Sequence, residues 1–156
     1  IILEAQQLSG GRHDLQLCCS ETANLSVESS ALRSALGNLV FNAVRHNPQG
    51  AAIEIRVTQS IDVVSIGIAD DGVGIDPLEI SRLTERFYRG DNSRNSDTGG
   101  SGLGLAIVKH AMTSCGGQLQ INSRLGRGAE FICNFPNGPT RIAITPLSRS
   151  AAKPIV

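Results

Sequence analysis

The chain has 156 residues, 40% of them hydrophobic, and its 14 Lys and Arg balance 14 Asp and Glu to a formal net charge of +0 at pH 7. That length fits one domain with a sizeable core and a short appendage, and the charge balance excludes a bulk attraction to nucleic acid or an anionic membrane, so any ligand must be recognised locally. No run approaches the roughly 18 apolar residues of a membrane span, and Cys18, Cys19, Cys115 and Cys133 form no CxxC pair, which points to packing in a reducing setting and not to zinc or disulfides.

Leu15 and Leu17 alternate with polar neighbours and predict a first strand, with His13 in the approach to it. Residues 29 to 47 follow as a helix whose apolar stripe is Leu32, Leu36, Leu39 and Ala43, with Ser29 or Ser30 as N-cap and Pro48 as the stop. Two strands come next, Ile53/Ile55/Val57 and Val64/Ile66/Ile68, then a short helix from Pro77 to Leu83. Residues 91 to 101 are wholly polar without a period and predict a lid-like loop. A helix over Gly102 to Cys115 should bury Leu105, Val108 and Met112 and stop at Gly116-Gly117. Two strands end the order, the last carrying Phe131, Cys133 and Phe135; from residue 139 the chain turns rich in Pro, Ser and Ala and predicts a disordered tail behind a domain of residues 1 to 138. The expected architecture is α+β, a two-layer sandwich with a mixed sheet of about five strands covered on one face by about three helices.

Three segments can carry chemistry. On the long helix, Asn38, Asn42 and Arg45 share a face away from the apolar stripe. An amide oxygen such as that of Asn42 suits a Mg2+ ion that takes its other ligands from water and phosphates, although asparagines at this spacing equally suit a solvated face. Asp70-Asp71-Gly72-Val73-Gly74-Ile75 ends an apolar strand in an acidic, glycine-rich turn. The carboxylate can accept from an amino donor and the glycines admit a flat base, although Asp-Gly alone also signals a hairpin. Gly99-Gly100-Ser101-Gly102-Leu103-Gly104-Leu105 opens a helix, where backbone N–H groups and the positive helix end meet phosphate oxygens. No Gly-Lys-Ser/Thr occurs, so this is not a Walker A loop, and a polar loop in place of a strand before it excludes the Rossmann fingerprint.

In this order the segments resemble the boxes of histidine kinase catalytic domains. Asn38-Leu-Val-Phe-Asn42-Ala is similar to the N box, Asp70-Asp-Gly-Val-Gly74 to the G1 box, Glu85-Arg-Phe-Tyr-Arg89 to the F box and Gly100-Ser-Gly-Leu-Gly104 to the G2 box, with Gly126-Arg-Gly128 as the closing glycine motif. The strings LTERFYRGD and TGGSGLGLAIVKHA resemble phosphate-regulon sensor kinases in particular. The resemblance implies a Bergerat-type ATP site. Asp70 would meet the adenine amino group, Gly72 and Gly74 would shape the turn, Ile75 would flank the base and His46 would stack on it. Asn42 would hold Mg2+, with Asn38 and Arg45 as catalytic neighbours at the phosphates. Phe87, Tyr88 and Arg89 would anchor the lid, and Gly100, Ser101, Gly102, Leu103, Gly104 and Leu105 would carry phosphates.

Two departures from the family pattern matter. Related hydrolases carry Glu where this chain has Asn38, and an amide is no general base, so the resemblance implies transfer of phosphate and not its release to water. Ala129 stands where the family commonly has a Thr near adenine, and a bridging water can replace that hydroxyl. No His-Glu-x-x-Thr/Ser-Pro acceptor pattern occurs; His13 and His110 read as structural or surface residues. The implied function is to bind Mg-ATP and phosphorylate a histidine on a separate dimerisation and phosphoacceptor domain, which would pass the group to a response regulator receiver domain. The implied location is the cytoplasmic side of a parent anchored in the bacterial inner membrane. The alternatives are an ATPase of the gyrase or chaperone kind, an anti-sigma-like serine kinase, and a protein-interaction module without nucleotide.

Overall fold

The structure is a computed structural model and describes residues 1–19, 22–90, 101–137 and 142–144. A central five-stranded sheet has the order β1 (Asp14–Cys19), β3 (Ala52–Gln59), β4 (Val63–Asp70), β6 (Ala129–Pro136), β5 (Gln118–Ser123). Only β1 and β3 run parallel; the other neighbours are antiparallel, which makes the sheet mixed. The alternation read from the sequence places Ile53, Ile55 and Val57, then Val64, Ile66 and Ile68, then Phe131, Cys133 and Phe135 on one buried face. Burial pushes the Cys133 thiol up to about 12, as expected of a cysteine used for packing.

Helices α2 (Ser29–His46) and α4 (Gly104–Ser114) cover that face, with the short α3 (Pro77–Ile80) between them in sequence. On α2, Leu32, Ala35, Leu39, Val40, Ala43 and Val44 are buried and Leu36 is half-buried, so the stripe is wider than the four residues predicted. Its N-cap is Glu28 and not Ser29 or Ser30; the Ser30 hydroxyl donates to Glu28 Oε2 at 3.2 Å. α4 begins two residues later than predicted, because Gly102 has φ 68, outside the helical region. α3 stops at Ile80, short of the predicted Leu83, after an Asp76 cap whose Oδ1 accepts from the Leu78 N–H at 2.8 Å.

Three elements were not predicted. α1 (Ile2–Ser9) packs on α2 through the fully buried Ala5 and ends at Gly10 in the left-handed conformation. A second, two-stranded antiparallel sheet joins β2 (Ala23–Leu25) to β7 (Ile142–Ile144). The tail expected from residue 139 therefore returns to the fold at β7, where Ile142 and Ile144 pack against the core and supply the hydrogen bonds an isolated β2 would lack. Residues 145–156 and most of the predicted lid lie outside the described residues.

Candidate functional site

Asp70 is the last residue of β4, with Ile53 of β3 on one side and Ala129 of β6 on the other. Its Oδ1 accepts from the Gly72 N–H at 3.0 Å and from Asn47 Nδ2 at 3.1 Å. Partial burial raises the Asp70 pKa above 3.8, opposed by hydrogen bonds from Gly72, Asn47 and Ala129, while the Asp71 charge adds to the rise. Asp71 turns the other way and accepts from the Ala52 N–H at 2.8 Å.

The turn beyond Asp70 is tied to the β5–β6 connection. The Ile75 N–H donates to Ser123 Oγ, which donates to the Gly128 carbonyl, both at 2.8 Å, and the Gly126 N–H donates to the Val73 carbonyl at 2.8 Å. The glycines of the turn answer to this crowding more than to a flat ligand. A Cβ on Gly72 would lie 1.8 Å from Asn47 Oδ1, and one on Gly74, at φ +68, would lie 2.1 Å from the Arg124 carbonyl oxygen.

From α2, Asn42, Arg45 and His46 line a cavity of about 470 Å³, together with Asp70, Gly74, Ile75 and Leu105. The volume suits a nucleotide-sized ligand. Ala129, Phe131, Val73 and Leu83 add apolar wall, and Asn47, Pro48, Asp76, Glu79 and Gly90 complete it. The His46 pKa is lowered from 6.5 by the protein crowded around the ring; Asp70 opposes the shift and Arg45 and Arg89 add to it. His46 nonetheless remains exposed to solvent where it lines the cavity.

Asn38 does not line the cavity. Its Nδ2 donates to the Ser34 carbonyl at 2.8 Å, and a Cβ on Gly104 would stand 3.1 Å from its Oδ1 and 3.5 Å from Asn42 Nδ2, so the start of α4 abuts both asparagines. Gly102 in turn meets the segment after α3, where the Phe87 N–H donates to its carbonyl at 3.0 Å. Phe87 has φ 65 and is 72% exposed, so its ring is outside the cavity. Tyr88 is covered by the Arg82 guanidinium, 4.4 Å from its ring centre. Ser101 is exposed, Leu103 caps α4, and Gly100 lies outside the described residues.

The long helix, the acidic turn and α4 therefore meet at one cavity, through Asn42, Asp70 and Leu105. Among the described residues no group of three or more His, Cys, Asp or Glu side chains could hold a metal. A cation here would have Asn42 as its amide ligand and would need phosphates and water for the rest. Sequence reasoning missed Asn47, whose place before Pro48 marked it only as a helix end, and the wall residues Leu83, Phe131 and Glu79.

Residues 27–139 match the family model described as histidine kinase-, DNA gyrase B-, and HSP90-like ATPase. The chain belongs to this family. It is 45% identical over 141 residues to the phosphate regulon sensor protein PhoR of Pseudomonas aeruginosa, covering 90% of this chain and 31% of that protein. It is 40% identical over 124 residues to PhoR of Haemophilus influenzae, covering 80% of this chain and 29% of that one. The chain spans about a third of the length of these curated relatives. Among solved structures, the mycobacterial sensor histidine kinase MprB matches with a TM-score of 0.78 at 27% identity, over 89% of this chain and 92% of that one. This is a histidine kinase-type ATPase domain, with the α+β fold of such catalytic domains.

Proposed function

We propose that this domain binds Mg-ATP in the cavity and presents the γ-phosphoryl group to a histidine on a separate dimerisation and phosphoacceptor domain of the same parent kinase. The observation that carries the reading is the meeting of Asn42, Asp70 and the start of α4 around one cavity. Asp70 accepts from the adenine amino group, Ile75, Ala129 and Phe131 wall the base, and neutral His46 stacks on it. Asn42 would hold Mg2+, which when bound offsets phosphate charge, while Arg45 and the backbone from Ser101 to Gly104 would face the phosphates. The segment of Phe87, Tyr88 and Arg89 meets the turn before α4, where the Phe87 N–H donates to the Gly102 carbonyl.

Phosphoryl transfer depends mostly on positioning and charge stabilisation, so the nucleophile can come from another domain. Asn38 supports transfer over hydrolysis, because its amide cannot take a proton from water. Likeness to PhoR supports a two-component role in phosphate signalling with a response regulator as the next acceptor. No helix among the described residues is long and apolar enough to cross a membrane; an inner-membrane anchor would belong to other parts of the parent, with this domain in the cytoplasm. Calorimetry with Mg-ATP tests the pocket: Asn42→Ala and Asp70→Asn are each expected to remove binding, and unchanged affinity in both would refute the assignment.

A further inference from the structure

Three polar residues are buried, Ser9 at 1% exposure, His13 at 9% and, lining the cavity itself, Asn47 at 4%. They form a continuous chain. His13 Nε2 lies 2.8 Å from the Asn47 carbonyl oxygen, which can only accept, so Nε2 carries the proton. His13 Nδ1 is then an acceptor, and the Ser9 hydroxyl 3.1 Å away donates to it. Ser9 Oγ also accepts from the His13 N–H at 2.9 Å. This locks the loop after α1 against the C-terminal end of α2.

The Asn47 side chain points the other way. Its Nδ2 donates to the Ala43 carbonyl at 2.9 Å and to Asp70 Oδ1 at 3.1 Å, while its Oδ1 accepts from the Val73 N–H at 3.1 Å. Both ends of the carboxamide are thus used, which fixes its orientation. Asn47 Nδ2 and the Gly72 N–H both land on Asp70 Oδ1, and with the Ala129 N–H as a third donor the carboxylate keeps capacity to accept from a ligand. Gly72 is spaced for this contact, since any Cβ there would occupy the volume of the Asn47 amide.

We propose that Asn47, clamped from behind by His13 and Ser9, is a positioning residue for base selection, holding the Asp70 carboxylate so that one oxygen is presented to the 6-amino group of adenine. The proposal rests on the reading of Asp70 as the base acceptor. Buried polar networks of this kind fix one geometry when every member is satisfied, and no buried side-chain N or O among the described residues lacks a partner.

The test compares ADP with purine riboside diphosphate, which lacks only the 6-amino group, by calorimetry on the wild-type chain, Asn47→Ala and Asn47→Asp. The aspartate keeps the shape and the acceptor for Val73 while removing the donor to Asp70, so it remains informative if the alanine variant does not fold. The wild type is expected to prefer ADP by about tenfold or more, the value of a hydrogen bond to a charged group. The preference should collapse to less than about threefold in the variants. A purely structural Asn47 would weaken both ligands equally, and retention of the full preference in folded variants would overturn the proposal. A wild type that binds ADP but shows no preference, or that does not bind, would instead overturn the reading of Asp70 itself.

Discussion

Gly72→Ala is the smallest change that should disturb both the stability and the base site of this domain. The added methyl would lie 1.8 Å from Asn47 Oδ1, 2.3 Å from Cγ and 2.7 Å from Nδ2. Asn47 cannot swing aside freely, because it is 4% exposed and its amide is held by Ala43, Asp70 and Val73. Displacing it breaks three hydrogen bonds at about 1 kcal/mol each, and residual overpacking adds about 1 to 2 kcal/mol. The expected loss is about 4 to 5 kcal/mol, large against a typical total of about 5 to 15. Urea denaturation reads it as a midpoint lowered by about 2 M, for a slope near 2 kcal/mol/M. In an Asn47→Gly background the clash partner is gone, so the same substitution should cost under about 1 kcal/mol more. A loss below about 1 kcal/mol in the parent, or an equal loss in both backgrounds, would refute the reasoning.

Phe135→Ala should cost about 3 to 5 kcal/mol in the same assay, because the ring is 2% exposed in the central sheet face; a loss under about 1 kcal/mol would contradict the assigned core. Acidification should act through His46 and Asp70 in opposite senses. A lowered His46 pKa means the folded state resists protonation, so its contribution is present above 6.5 and falls as pH drops below that value; denaturation curves of the wild type and His46→Phe should diverge below that pH, the wild type falling faster. The raised Asp70 pKa costs stability as pH rises above 3.8, yet base recognition needs the ionised form. ADP affinity should therefore begin to fall on acidification at a higher pH than an ordinary Asp would set, as calorimetry across the acid range would reveal.

The parts legible in the sequence were those governed by local periodicity. The Leu32/Leu39/Ala43 stripe and the alternating strands marked α2, β3, β4 and β6 because one face of each meets the same core. The three elements that local periodicity did not mark, α1, β2 and β7, draw their stability from distant partners. β2 and β7 are three residues each and exist only as a pair across more than a hundred positions of chain, and α1 depends on seating Ala5 against α2. The acidic turn was legible as a site, but its glycines were read as room for a ligand, whereas Gly72 makes room for Asn47 and Gly74 for the Arg124 backbone. Asn47 itself carried no local signal, since its bond to Asp70 joins residues 23 apart.

The most direct measurement of the central claim is transfer itself. Radiolabelled γ-phosphate ATP and Mg2+ would be mixed with this domain and a separately purified histidine phosphoacceptor domain from a PhoR-type kinase. Label that accumulates on the acceptor as an acid-labile, base-stable phosphoramidate, and disappears with Asn42→Ala, is the predicted result. Steady release of inorganic phosphate with an unlabelled acceptor would contradict the account.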